Sequence, residues 1–327
     1  MRNAFLSFDQ ITTPTEFETQ ALALFTYQYY HNTVYRSYCD LINKSPSDIK
    51  KSDDIPCLPI QFFKSHTICC ETPIPKTYFS SSKTTGQIAS KHYVKDIQLY
   101  IQSFVRTFTS FYGPVNKYAI IALLPSYLER NDSSLVYMAQ HLIQLSKHPE
   151  SDFYLNEWDT LHQVVHRLEQ EGQPTLLLGV SFALLECVER LQWKLNNTII
   201  METGGMKGMR KEWIRSALHN RLKEGFGVSQ IHSEYGMTEL FSQAYAQKEG
   251  RFKTPPWMKV NVRSAEDPFE YIGDQKTGAL NIIDLANVDS CAFIATEDLG
   301  KTHADGSFEV LGRFDHAEIR GCNLLAL

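Results

Sequence analysis

The sequence predicts an α/β fold on largely parallel sheets flanked by helices, with a smaller β-rich lobe at the C-terminal end. Three observations carry this. Short, wholly apolar runs recur between amphipathic helical stretches. One run, Thr198–Met201, opens into the glycine-bearing turn Glu202-Thr203-Gly204-Gly205. Beyond about residue 255 the helical spacing stops, and short strand-like runs separated by Gly and Asp take over. Buried strands alternating with helices are the mark of crossover units and a parallel sheet.

The elements follow in order. The N-terminal segment is helical and aromatic-rich around Phe17–Tyr38, and it ends in the Pro-punctuated stretch Asp53–Ile60. A hydroxyl-rich loop, Phe79–Gly86, precedes apolar residues at helical spacing over Val94–Tyr112. Tyr118–Leu124, stopped by Pro125, is a buried strand, and Ser133–Lys147 an amphipathic helix. Thr175–Gly179 and Thr198–Met201 are further strands, with helices over Phe182–Trp193 and Lys211–Lys223. Asn281–Leu285, Cys291–Thr296 and Phe308–Leu311 are the short strands of the last lobe. The expected division is residues 1–255 as an α/β core and residues 256–327 as the β-rich lobe.

Composition bounds the function. The chain has 327 residues, 43% hydrophobic and 21% charged, as an ordinary globular protein does, which sets aside wholesale disorder. Its net charge of −5 is the wrong sign for a nucleic-acid binder, which needs a surplus of Lys and Arg. Seven Cys is an odd number, and no Cys-x-x-Cys pair or Cys/His metal spacing occurs, so free thiols in a reducing compartment are expected. The adjacent Cys69 and Cys70 read as part of a partly buried strand rather than a redox pair. No run reaches the roughly 18 apolar residues of a membrane span, and the start lacks the apolar core of a signal peptide. The cytoplasm is the expected address.

Five short constellations offer chemistry. Ser80, Ser81, Ser82, Thr84 and Thr85 with Gly86 place many donors in one loop, which suits phosphate oxygens or, equally, a solvated turn. Glu202-Thr203-Gly204-Gly205 leaves a predicted strand, where ligands of open α/β sheets sit; it is either a cradle for a flat ring or a plain strand-to-helix turn. Ser233-Glu234-Tyr235-Gly236-Met237-Thr238-Glu239 repeats that grammar after Val228–His232. Its Glu239 suits a magnesium ion, Thr238 a phosphate and Tyr235 a base, against a surface Glu and a core Tyr. Asp298 in Thr296–Gly300 could accept two ribose hydroxyls, and Arg313 in Gly312–Gly321 could bind ribose or phosphate; both could equally be turn residues. His162 and His166 stand four apart on a predicted helix with no zincin Glu or third ligand. His232 reads as packing, with an acyl-pocket role open.

In this order the constellations resemble the serial motifs of the adenylate-forming superfamily. Ser81-Ser82-Lys83-Thr84-Thr85-Gly86 is in register with [YF]-x-S-S-G-T-T-G. Tyr235–Glu239 matches Y-G-x-T-E in full, Thr296–Gly300 is similar to T-G-D-L-G, and Gly312–Asp315 opens like G-R-x-D. Leu58–Lys64, Gly204–Lys207 and the ending Glu318–Leu325 resemble the acyl-protein synthetase (LuxE) branch over most of the chain. The resemblance implies the N-terminal-domain architecture of that superfamily. It implies ATP-dependent, magnesium-assisted activation of a carboxylic acid, a fatty acid in that branch, to an acyl-adenylate. The acyl group then moves to a cysteine near the C-terminus, matched here by Cys322, and on to a partner acyl reductase of the LuxC kind.

By the same resemblance Ser81, Ser82, Thr84, Thr85 and Gly86 take the phosphates, Gly204, Gly205 and Tyr235 with Gly236 frame the adenine, Thr238 serves the α-phosphate and Glu239 the magnesium. Asp298 takes the ribose and Arg313 the ribose or phosphate. Three departures stand out. Lys83 replaces a Gly of the loop, Glu297 replaces the Gly of the ribose motif, and the sequence ends at Leu327 without the superfamily's mobile C-terminal domain and its catalytic lysine. Lys83, Lys207, Lys211 and Arg313 are the candidate replacement cations. Two other classes remain: a ligase that passes its adenylate to CoA or a carrier protein, and a non-catalytic subunit of a reductase complex.

Overall fold

The computed structural model describes residues 8–70, 73–81, 88–124, 132–154, 157–204 and 213–314. The chain folds into two compact units, one of Met1–Lys76 with Pro256–Leu327, the other of Thr77–Pro255.

The N-terminal part of the first unit opens with helix α1 (Pro14–His31). The Thr13 hydroxyl accepts from the Glu16 N–H, and the Glu16 carboxylate accepts from the Thr13 N–H, a capping box that satisfies donors the first turn would leave bare. Hydrogen bonds to the carboxylate from the Thr12 N–H and hydroxyl, and then from Thr13, hold the Glu16 carboxyl down to about 2. Asn32 ends α1 and caps α2 (Thr33–Leu41) by accepting from the Tyr35 N–H, so the helical stretch expected over Phe17–Tyr38 is two helices. Strand β1 (Leu58–Pro59) and the one-turn α3 (Phe62–Ser65) follow.

The second unit begins with a hairpin, β2 (Tyr78–Ser80) and β3 (Lys91–Tyr93). Then come α4 (Ile97–Tyr112), β4 (Ala119–Leu123), α5 (Ser134–Ser146), β5 (Asp152–Phe153), α6 (Trp158–Gln170), β6 (Thr175–Val180) and α7 (Ser181–Arg190). β7 (Thr198–Thr203), α8 (Arg215–Phe226), β8 (His232–Tyr235) and β9 (Ala244–Ala246) complete it. The sheet order is β5-β4-β6-β7-β8-β9, and every pairing is parallel except β8 with β9. All residues of β4 and β6 are buried, which is why both read as unbroken apolar runs rather than as alternation.

The first unit closes with β10 (Met258–Arg263), β11 (Gly278–Asp284), β12 (Phe293–Thr302) and β13 (Phe308–Arg313). The order is β1-β12-β11-β10, with β13 on β12; β1 is parallel to β12 and the other pairs are antiparallel. Helix α1 reaches this lobe through buried amides. Gln28 Nε2 donates to the Asn287 and Val288 carbonyls (2.8 and 2.9 Å), its Oε1 accepts from the Ala292 N–H (2.9 Å), and Asn32 Nδ2 donates to the Ser290 carbonyl (3.0 Å). The units therefore do not follow a linear split at 255/256. Residues 1–76 satisfy the backbone of the β11–β12 turn, which would otherwise be buried without partners.

Other elements differ from expectation. The β2–β3 hairpin and β10 are absent from the sequence reading, because strands of three residues and a half-exposed strand give no periodic signal. Cys69 and Cys70 lie outside any strand, with the Cys70 N–H donating to the Asp289 carbonyl at 2.9 Å. Thr296–Gly300 lies within β12 rather than after it. Among the described residues no helix is long and apolar enough to cross a membrane.

Candidate functional site

In the second unit two of the motifs singled out in the sequence lie at the carboxyl ends of adjacent parallel strands, β7 and β8, with Glu202 opposite Ser233 and Thr203 opposite Glu234. This is where ligands of open α/β sheets bind. Glu202 is buried. Burial alone would raise its carboxyl, but a hydrogen bond from His219 (Nε2 to Oε1, 3.4 Å) and the charge of Arg215 (Nε 3.9 Å away) outweigh it, and it stays below the usual carboxylate range. Ser181 Oγ donates to the Gly204 carbonyl (2.8 Å) and lies 3.2 Å from Glu202 Oε2; Ser233 Oγ is 3.4 Å from His219 Nε2. The glycine turn thus stands on a buried polar network. Gly204 itself has φ +67°, a conformation L side chains rarely adopt.

One strand over, Thr203 donates its hydroxyl to the Glu234 carboxylate. A Cβ on Gly236 would meet Glu234 Oε1 at 2.5 Å, so a side chain here would displace the Glu234 carboxylate. Tyr235 is buried, its ring 5.8 Å from that of Phe252, and Glu239 is only 5% exposed rather than a surface carboxylate. Thr238 and Glu239 occupy the turn closed by the Leu240 N–H donating to the Met237 carbonyl (3.1 Å).

The hydroxyl loop is the connection of the β2–β3 hairpin. The Ser81 N–H donates to the Ser90 carbonyl (3.1 Å) and the Ser90 N–H donates to Ser81 Oγ (3.0 Å), so Ser81 closes the loop's neck. Ser80 donates to Asp132 through both its N–H (2.8 Å) and its hydroxyl. His92, opposite Phe79 in the hairpin and fully buried, places Nδ1 2.8 Å from the Thr238 carbonyl and packs its ring 4.9 Å from Phe241. Ser242 Oγ meets Ser103 Oγ on α4 at 2.9 Å. The base of the hydroxyl-rich loop is thereby fastened to the Thr238–Glu239 turn. Ser82, Lys83, Thr84, Thr85, Gly86 and Gly205, with Lys207, Lys211 and Cys322, lie outside the described residues.

In the first unit Asp298 on β12 is the register partner of Arg313 on β13, and Arg313 Nε is 3.2 Å from Asp298 Oδ1. Asp298 is mostly buried while the Arg313 side chain is 72% exposed. The Asp298 N–H donates to Thr296 Oγ1 (3.1 Å), whose hydroxyl donates to the Leu280 carbonyl (2.8 Å). A side chain at Gly300 would run into the Glu309 carbonyl, which explains the closing glycine of this motif.

The ligand atoms on offer at the Tyr235–Glu239 turn are carboxylate and hydroxyl oxygens beside a glycine. This chemistry fits a magnesium ion held by one or two carboxylates together with substrate phosphates. Among the described residues no group of three His, Cys, Asp or Glu could hold a metal by protein ligands alone. His162 instead lies 3.2 Å from the Gln192 carbonyl through Nε2, against Trp193. His232 meets the Tyr112 hydroxyl at 3.1 Å, and burial lowers it to about 4. Sequence reasoning missed His92, His219 and Arg215. Each acts across the fold, and no local pattern marks it.

The family model described as acyl-protein synthetase, LuxE, matches residues 5–326. A long-chain-fatty-acid–luciferin-component ligase of Aliivibrio fischeri is 25% identical over 336 residues, 92% of this chain and 85% of the relative. Two solved structures share the fold. One is a 2-hydroxyisobutyryl-CoA ligase in complex with 2-HIB-AMP and CoA, with a TM-score of 0.67 and 12% identity, over 94% of this chain and 72% of that one. The other is ATP-bound MatB from Rhodopseudomonas palustris, with a TM-score of 0.56 and 17% identity, over 72% of this chain and 47% of that one. The chain thus spans about half the length of the MatB structure.

Proposed function

Because the chain belongs to the acyl-protein synthetase (LuxE) family, and is a ligase by that membership, we propose that it joins a carboxylic acid, in particular a fatty acid, to AMP at the expense of ATP. The acyl group is then carried on Cys322 to a partner acyl reductase. The observation that carries this reading is the bond from His92 to the Thr238 carbonyl, which ties the hairpin of the phosphate loop to the magnesium turn.

The chemistry is a problem of charge. A carboxylate oxygen attacks the α-phosphorus, a phosphorus–oxygen bond breaks, and pyrophosphate leaves. Two anions must approach, so fixed donors and cations must offset their repulsion. Ser81, Ser82, Thr84, Thr85 and Gly86 serve the phosphates, and Thr238 the α-phosphate side. Lys83, Lys207, Lys211 and Arg313 are the cations available to the developing charge. Gly204, Gly205, Tyr235 and Gly236 frame the adenine, Asp298 accepts from the ribose hydroxyls and Arg313 supports it. Glu239 would hold magnesium, which supplies charge neutralisation on the phosphate oxygens. In the second half-reaction the Cys322 thiolate attacks the acyl carbon, the thiol proton passes to solvent, and AMP leaves. A thiol titrates near about 8.5 and reacts better when a cation lowers it, which Arg320, two residues away, can do.

Carboxylate-dependent exchange of labelled pyrophosphate into ATP tests the first step. Exchange with straight-chain acids is expected, and a folded protein that exchanges with no acid would sink the reading. Labelled acid should then stay on the protein as a hydroxylamine-sensitive adduct that C322S abolishes while exchange persists. Acyl-CoA release with no labelled protein would instead favour a CoA ligase.

A further inference from the structure

The Leu58–Lys64 stretch and the carboxylate at position 297 meet within one unit. β1 runs parallel beside β12, with Leu58 opposite Ile294 and Pro59 opposite Ala295, and the Ile60 N–H donates to the Ala295 carbonyl at 3.0 Å. Gln61, the next residue, extends its amide along β12, and Nε2 donates to Glu297 Oε1 at 2.7 Å. Where the motif it resembles carries glycine, this chain carries a carboxylate with a matched donor. The neighbouring residue is held from the other side. Arg263 Nη2 donates to the Thr296 carbonyl (2.8 Å), while Nη1 donates to the Leu280 carbonyl (3.1 Å) and to Asn281 Oδ1 (2.9 Å). The Phe314 N–H donates to the Glu297 carbonyl at 2.7 Å. Every residue from 295 to 298 is therefore anchored, and Gln61 holds the side chain next to Asp298.

We propose that Gln61 and Glu297 are a positioning pair that sets the Asp298 carboxylate for a nucleotide's ribose, and so determines preference for a ribonucleotide over a deoxyribonucleotide. The inference rests on the adenylating reading above. The physical reason is pre-organisation. Glycine is the residue with most backbone freedom, so a glycine before Asp298 would leave the carboxylate to be ordered when ligand arrives. A hydrogen-bonded Glu297 does that ordering during folding, and the binding step loses less entropy. A carboxylate must face both vicinal hydroxyls at once to accept from both, so a small rotation of β12 forfeits the preference.

The test is equilibrium binding of ATP, 2′-deoxy-ATP and 3′-deoxy-ATP to the full chain with magnesium and no acid, by titration calorimetry, with melting temperatures recorded for every variant. The wild-type chain should prefer ATP over each deoxy form by about tenfold or more, the value of one good hydrogen bond. Q61A and E297A should each weaken ATP by about tenfold while leaving the deoxy forms nearly unchanged, so that the ratio falls towards one. The double variant should be no worse than either single, as for two residues of one contact. E297Q keeps an acceptor for Gln61 and should keep the ribose preference. Unchanged ratios in folded Q61A and E297A, or effects that multiply in the double variant, would overturn the pair. Wild-type ATP binding without ribose preference would remove the pair and leave the adenylating reading standing. A wild-type chain that binds none of the three would remove both.

Discussion

Glu202 and Asp298 are both mostly buried carboxylates beside an arginine, one in each unit, and they are held in opposite ways. Glu202 sits in a closed network of His219, Arg215, Ser181 and Ser233. Its arginine is itself two-thirds buried, placed 4.9 Å over the Phe252 ring, and among the described residues leaves Nη1 without a hydrogen-bond partner. The cation beside Asp298 projects into solvent. A buried network is costly to break because its members cannot be rehydrated, whereas a solvent-facing pair is worth little to stability and exchanges cheaply for a ligand. The first arrangement is scaffolding under the glycine turn, and the second is the kind of pair that the proposed ribose role of Asp298 requires.

The largest test of this contrast is to remove one member from each. E202A strands Arg215 and His219 and should cost about 3–5 kcal/mol in urea unfolding. R313A should change stability by less than about 1 kcal/mol and still weaken ATP binding. Equal losses of stability would end the distinction. G236A comes next. Its new methyl meets Glu234, an overpacking cost of about 1–3 kcal/mol, and adenylation should fall with it. Full stability in that variant would show that Glu234 moves aside freely.

A third effect separates Glu202 from His232, the half-buried imidazole against Tyr112, by pH. His232 is lowered to about 4 from 6.5 by burial, so as pH falls below 6.5 the unfolded chain takes the proton first. Its contribution is full above pH 6.5, is lost between 6.5 and about 4, and is flat below. Glu202, lowered from 4.5, contributes above 4.5 and loses stability as pH falls through its folded value. Unfolding free energies from pH 7.5 to 3.5 should therefore fall first in the His232 window and further below about 4.5, where Glu202 and Glu16 both take protons. H232Q should remove the upper decline, and a single decline in the wild-type chain would contradict the assignment. The smallest effect concerns thiols. Burial pushes Cys39, Cys57 and Cys187 up to about 12 and raises Cys291 as well. Native-state alkylation should spare these four and modify the half-buried Cys69. Cys322 must react if it is an acyl carrier, and C322S should reduce the count by one.

Much of the second unit was legible because its signals are local. β4, β6 and β7 are buried on both faces and announce themselves as apolar runs, and α4 and α5 carry side-chain caps at Asp96 and Ser133. Glycine at 236 and at 300 could be read as motif, and the structure supplies a reason, the Glu309 backbone carbonyl too close for a Cβ at 300 and the Glu234 carboxylate beside 236. The β2–β3 hairpin was not legible. Its strands are three residues long, and their stability lies in hydrogen bonds with Asp132 and Thr238 far along the chain.

By itself, the sequence determined the alternation of strands and helices, the order of the motifs and the family to which the chain belongs, because these depend on residue type and short-range spacing. Only the tertiary structure decided that residues 1–76 cluster with the last lobe, that His92 fastens one motif to another and that Gln61 answers Glu297. Each of these joins residues tens to hundreds of positions apart. Backbone groups buried by the fold must find donors and acceptors wherever the chain happens to return, and no periodicity encodes where that is.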